Sequence, residues 1–329
     1  MKLLAVDDDP ILLSILEQMI SESGDHTITT TQNPLEAIKL ARSANKPFDC
    51  FLLDIEMPEM DGIELCAELR KLGKYRKTPI LMITAMSEKH HIDAAFNAGA
   101  TDYINKPLEQ SELRARLSLV SRAVNEGRNK ASKIFAVNAL KNGAGAGQDA
   151  KTPLHEPFDI EDVTGVIEVN AFENYLRRLS RSALFGSTVF AFSIQRISEL
   201  HAELSTFDFK ALMADVSEAI SDCLSSHQYL MTYAGGGTFI CVTEGGWIPK
   251  PQDFTEDVHH ALRKMDLFSG KGERLIIRLA AGDMVRLSWR PGDGAISAIG
   301  EAHISAERRA AHLANDLLDP GLWYAERTA

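Results

Sequence analysis

The chain has 329 residues, room for two domains of ordinary size, and 45% of them are hydrophobic, enough to bury cores. A formal net charge of −11 leaves no basis for nonspecific attraction to nucleic acid or to an anionic membrane surface. Cys50, Cys66, Cys223 and Cys241 have neither metal-type nor redox-type spacing and read as reduced thiols in a cytoplasmic protein; the apolar start at residues 1–6 runs into three acids, so neither a secretory signal nor a membrane span is expected.

In chain order, the apolar run of residues 2–6 ends at Asp7-Asp8-Asp9, and helical spacing follows over 11–21 and again over 34–43. The run 48–53 ends at Asp54, and Ile55-Glu56-Met57-Pro58-Glu59-Met60-Asp61-Gly62 then turns the chain into a helical pattern over 62–72. Residues 79–83 end at Thr84 and precede a helix over 88–98 closed by Gly99, while Asp102-Tyr103-Ile104 leads to Lys106-Pro107 and a helix over 110–124. Alternating strand and helix predicts a parallel sheet covered on both faces, and ligands of such sheets gather beyond the carboxyl ends of the strands. The acids, the hydroxyl and the lysine are thereby expected to converge.

What converges suits phosphoryl chemistry. Asp7, Asp8 and Asp54 supply hard oxygen ligands and leave positions for water and phosphoryl oxygens, a donor set that fits Mg2+. Lys106 adds a point charge, Thr84 one hydrogen-bond donor, and Asp54 is the candidate nucleophile forming an aspartyl phosphate. Plainer roles stand beside these: Asp9 before Pro10 and Asp61 before Gly62 are placed to cap helices, and Tyr103 can be a core aromatic with a wet hydroxyl.

Taken together, Val6-Asp7-Asp8, Asp54 with Met57-Pro58 and Asp61-Gly62, Thr84-Ala85, Tyr103 and Lys106-Pro107 resemble the response-regulator receiver domain over residues 1–125. The resemblance implies a flavodoxin-like, doubly wound, five-stranded parallel sheet. It implies direct Mg2+ ligation by Asp8, Asp54 and the Glu56 backbone carbonyl, with Asp7 acting through water, and phosphate transfer to Asp54 from a histidine kinase or phosphotransfer protein. Thr84 and Tyr103 would form a switch, and Glu56 and Met86 would tune how long the phosphate survives.

Residues 126–157 read as a linker: a basic stretch over 122–142, with basic residues at 122, 128, 130, 133 and 141, is able to prolong the preceding helix, and a Gly/Ala stretch, Thr152-Pro153 and Glu156-Pro157 follow. The basic stretch lacks interleaved aromatics and is read as solvated rather than as a nucleic-acid site. From 158 to 329 a helix over 172–184, a strand over 188–194, a helix over 209–224, a hairpin of 229–233 and 238–242 around Gly235-Gly236-Gly237, a strand over 275–279 and a helix over 305–318 predict an α+β domain containing antiparallel strands.

Glu161-Asp162-Val163-Thr164-Gly165-Val166, the strand end Phe192-Ser193-Ile194-Gln195 and Gly235-Gly236-Gly237-Thr238-Phe239 make this half similar to the GGDEF domain of diguanylate cyclases in a degenerate form. The family's metal-binding carboxylates are replaced by Ser193 and Gln195 on the strand and by Gly237 and Thr238 in the hairpin, and its guanine-reading Asn falls near His201. Cyclase activity is therefore expected to be absent, with output by binding an unidentified downstream protein or by a homodimer. The alternatives are a nucleotide or cyclic-dinucleotide sensor using the Gly235–Gly237 loop and, further off, an active cyclase.

Overall fold

The computed structural model describes residues 1–22, 26–85, 89–141, 152–160, 162–248, 250–265, 267–269, 272, 274–288 and 290–316. Met86, Glu161, Trp289 and the Gly/Ala stretch lie outside them. The chain forms two compact units, Met1–Gln148 and Asp149–Ala329.

The first unit is a five-stranded parallel sheet in the order β2-β1-β3-β4-β5, with β1 at Lys2–Val6, β2 at Thr27–Thr31, β3 at Cys50–Asp54, β4 at Ile80–Thr84 and β5 at Asp102–Asn105. Every residue of β3 and β4 is buried, as expected of central strands covered on both faces. The helices are α1 at Pro10–Ser21, α2 at Pro34–Ser43, α3 at Gly62–Lys71, α4 at Lys89–Asn97 and α5 at Gln110–Lys141. Leu13, Leu16 and Ile20 of α1 and Leu113, Leu117 and Val120 of α5 share one core with Leu3, Leu52, Leu81 and Ile104 of the sheet. Strand β2 escaped the reading of apolar runs because it is threonine-rich, Thr-Ile-Thr-Thr-Thr, and lies at the sheet edge, where less apolar cover is needed. The capping roles hold: Asp9 Oδ1 accepts from the Ile11 amide at 2.8 Å and Asp61 Oδ1 from the Glu64 amide at 2.7 Å. Helix α5 continues through the basic stretch to Lys141, as the sequence allowed.

The second unit carries α6 at Val169–Arg178, α7 at Arg181–Phe185, β6 at Thr188–Ile194, α8 at Ile197–Glu203, α9 at Thr206–Leu224, β7 at Tyr229–Gly235, β8 at Thr238–Thr243, α10 at Pro251–Lys264, β9 at Leu279–Ala281, β10 at Val285–Arg286 and α11 at Asp293–Asp316. The sheet runs β10-β6-β8-β7, with β9 on β6 as well, and its pairings are antiparallel. Phe209, Leu212, Val216 and Ile220 of α9 and Phe254, Val258 and Leu262 of α10 pack with Phe190, Phe192, Phe239 and Cys241 in one core.

Several expectations shift here. The single helix over 172–184 is two, because Ser180 begins a new one, its Oγ accepting from the Ala183 amide at 3.2 Å. The strand expected at 275–279 joins β6 only at its end, as Leu279–Ala281, while its start is held in a local antiparallel bridge, the Leu275 amide donating to the Leu267 carbonyl at 2.7 Å. Helix α11 begins at Asp293 rather than 305: its first turns bury small residues, Ala295, Ala298 and Ala302, which give little apolar periodicity. Residues 152–157, read as the end of a tether, belong to the second unit and bond to its hairpin, the Gly236 amide donating to the Leu154 carbonyl at 2.8 Å. Among the described residues no helix is long and apolar enough to cross a membrane.

Candidate functional site

Four strand ends build the site. Asp7 and Asp8 follow β1, Asp54 closes β3, Thr84 closes β4, and Lys106 comes one residue after β5. Parallel pairing aligns these ends: the Ile55 amide donates to the Ile83 carbonyl at 3.1 Å and the Lys106 amide to the Thr84 carbonyl at 2.7 Å. The Lys106–Pro107 peptide bond is cis. The pairing of the strands behind them thus brings the site side chains to one rim.

Asp7, Asp54 and Thr84 are buried while Asp8 is exposed, so the pocket opens on the Asp8 side. Lys106 Nζ stands 2.8 Å from Asp54 Oδ1 and 3.0 Å from Asp7 Oδ2. Asp7 Oδ1 accepts from the Asp9 amide at 2.9 Å, but Asp7 Oδ2 has only the charge contact with Lys106 and no partner in hydrogen-bond geometry. A buried carboxylate oxygen left under-satisfied is costly unless something else binds it.

The electrostatics agree. Burial pushes the Asp54 carboxyl up to about 6, the lysine contact pulling it back and Asp7 and Asp8 pushing it further. For Lys106, burial acts to lower the ammonium, but its contacts with Asp54 and Asp7 outweigh burial and raise it. Among the described residues, Lys106 is the cation at Asp7 and Asp54, and Asp8 adds a third acid. Carboxylate oxygens of Asp7, Asp8 and Asp54 lie within 4.8 Å of one another, the grouping among the described residues that fits a metal ion. Hard oxygen donors and an open side fit Mg2+.

The loop after β3 is shaped by Gly62, whose amide donates to the Ile55 carbonyl at 2.9 Å. A Cβ at Gly62 would lie 1.9 Å from the Asp54 carbonyl oxygen, so the start of α3 presses directly on the backbone of the reactive residue. Sequence reading gave Asp61-Gly62 a capping role and missed this close approach; a glycine directly after a cap was the available signal. Within the loop Glu56 is exposed, Met57 is buried and Glu59 adopts a φ of 69°. Tyr103, midway along β5, is 6% exposed and its ring meets Phe96 edge-on with centroids 6.4 Å apart. The sequence placed Asp7, Asp8, Asp54 and Lys106 together, and the structure brings them together; Thr84 closes the neighbouring strand and Tyr103 packs inward.

Fold and pocket define the first unit as a receiver domain. The family described as response regulator receiver domain matches residues 3–118. Among curated proteins, the two-component response regulator ORR24 of Oryza sativa subsp. indica is 38% identical over 114 residues, 35% of this chain and 18% of that protein. The transcriptional regulatory protein TcrA of Mycobacterium tuberculosis is 35% identical over 121 residues, 37% of this chain and 46% of its own length. The matched region thus spans less than half of either relative. Among solved structures, the chemotaxis response regulator CheY4 of Vibrio cholerae is 30% identical, covering 36% of this chain and 97% of its own, at a TM-score of 0.34. The family match ends at residue 118, and the second unit lies beyond it.

Proposed function

We propose that this protein is a two-component response regulator in which Asp54 accepts a phosphoryl group from a histidine kinase or phosphotransfer protein. The observation that carries the reading is the buried Asp54 carboxylate held 2.8 Å from Lys106 beside Asp7 and the exposed Asp8. An Asp54 oxygen forms the new bond to phosphorus while the bond from phosphorus to the donor's histidine nitrogen breaks, its electron pair staying on that nitrogen. Bound Mg2+, held by Asp7, Asp8, Asp54 and the Glu56 carbonyl, would neutralise phosphoryl oxygens during transfer. Lys106 Nζ holds the incoming anion as a point charge, and the Thr84 hydroxyl donates one hydrogen bond to it, which draws Thr84 toward Asp54 and frees room for Tyr103 behind it.

Output passes through the second unit as a degenerate, catalytically inactive GGDEF-like domain that binds a downstream protein or a second copy of the chain. Neutral chemistry at the strand ends supports inactivity: Thr238 Oγ1 donates to Ser193 Oγ at 3.1 Å and Gln195 Nε2 to the Leu279 carbonyl at 3.4 Å, where a cyclase needs carboxylates for its metal. A cytoplasmic location and no nucleic-acid or membrane partner accompany this reading, in keeping with the acidic balance. Intact-mass spectrometry after exposure to acetyl phosphate and Mg2+ tests it: one phosphoryl adduct is expected on the wild-type chain and none on Asp54→Asn. An unchanged wild-type mass refutes the assignment.

A further inference from the structure

The hairpin between β7 and β8 turns through three glycines. All three have positive φ, at 87°, 60° and 71°, a backbone region open to glycine that lets another group come close. The close approach is made by the chain itself. A Cβ at Gly235 would lie 2.5 Å from the His155 carbonyl oxygen, and one at Gly237 would lie 2.6 Å from Ile197 Cγ1. The Gly236 amide donates to the Leu154 carbonyl at 2.8 Å and the Gly237 amide to the Tyr233 hydroxyl at 3.2 Å. Both amides at the tip are therefore engaged from within.

The segment that reaches the hairpin is well held. From Thr152 to Phe158 exposure alternates, with Leu154, Glu156 and Phe158 half-buried and Pro153, His155 and Pro157 exposed. His201 Nε2 donates to the Thr152 carbonyl at 2.8 Å, Leu154 packs against the second unit's core, and the Phe158 ring lies 4.6 Å from that of Tyr233. The two outward prolines restrict the detached chain, lowering the entropy lost on docking. Apolar anchors, carbonyls offered to waiting donors and alternating exposure are the features of a bound peptide.

We propose that residues 152–158 are a tethered occupant of the hairpin groove, closing to phosphate-bearing ligands the loop that a nucleotide sensor would use. His201, standing where a guanine reader is expected, is spent on the same strap. The inference needs no phosphoacceptor chemistry, so its failure would leave the role of Asp54 untouched.

Hydrogen exchange of the full-length chain, read by mass spectrometry, tests this together with equilibrium dialysis against radiolabelled GTP in Mg2+. In the wild type, the peptide covering 234–238 should exchange slowly, since the Gly236 amide is held by the Leu154 carbonyl, and no GTP should be retained at roughly 1 mM. In Leu154→Asp that peptide should speed up by at least about tenfold while β6 keeps its rate. Should β6 also open in that variant, the wild-type protection and dialysis decide alone. Free exchange of 234–238 in the wild type, unchanged hairpin protection in the variant, or GTP retained by the wild type with its hairpin still protected would each overturn the proposal.

Discussion

Removing the charge of Asp54 should stabilise the metal-free receiver domain. The side chain is 2% exposed, and its carboxyl titrates at about 6 in the folded chain against 3.8 for the free group. A carboxyl whose folded pKa is raised favours the folded state while protonated; that contribution is complete below 3.8 and is lost as pH rises through about 6. Above this window the ionised Asp54 costs a difference of about two units at 1.36 kcal/mol each, so roughly 3 kcal/mol. An amide of the same shape carries no such cost. Asp54→Asn in EDTA at pH 7.5 is therefore expected to gain up to roughly 3 kcal/mol, the gain shrinking toward zero near pH 4. Calorimetry of the full chain reads this, the relevant transition being the one that Mg2+ shifts in the wild type. Trp fluorescence would not, because Trp247, Trp289 and Trp323 all lie in the second unit. Adding Mg2+ at a hundred times its Kd should raise the wild type by about 2.7 kcal/mol and the variant by less. A variant no more stable than wild type in EDTA at pH 7.5, or a gain that does not change between pH 4 and 7.5, refutes the reasoning.

Gly62→Ala forces a backbone shift at the Asp54 carbonyl, and a loss of about 2–4 kcal/mol in the receiver transition is expected, with slower labelling by acetyl phosphate; an unchanged labelling rate would show that the loop absorbs the methyl. Lys106→Met leaves Asp7 and Asp54 without their cation, and because Lys106 is partly exposed a discounted loss of about 1–3 kcal/mol is expected at pH 7.5 in EDTA, smaller at pH 4, by the same calorimetry. Tyr75→Phe removes the buried bond of 3.0 Å from the Tyr75 hydroxyl to the Ala41 carbonyl, and should cost about 1–2 kcal/mol without changing the final extent of phosphoryl labelling.

Much of the receiver pocket was legible because its residues stand at the ends of apolar runs. An apolar run of four to six residues declares a buried strand, and a parallel sheet sends successive strand ends to one side. Asp7, Asp54, Thr84 and Lys106 were thus assignable to one rim before any coordinate was known. The strand Thr27–Thr31 was not, since threonine alternation at a sheet edge carries no strong apolar signal. In the second unit the residue pattern indicated an α+β domain and a glycine hairpin, but misplaced the start of α11 because alanines packed closely against a sheet leave little hydrophobic periodicity.

The alternation of strand and helix in the first unit, the acids and lysine of the pocket, and the neutral residues at Ser193, Gln195 and Thr238 were determined by the sequence alone, because strand periodicity and side-chain chemistry are local properties. Only the tertiary structure decided how tightly Gly62 abuts Asp54, that a single ammonium serves two buried carboxylates, and that residues 152–158 lie on the glycine hairpin. These are distances between segments far apart in the chain, set by how whole elements pack, and no local pattern encodes them.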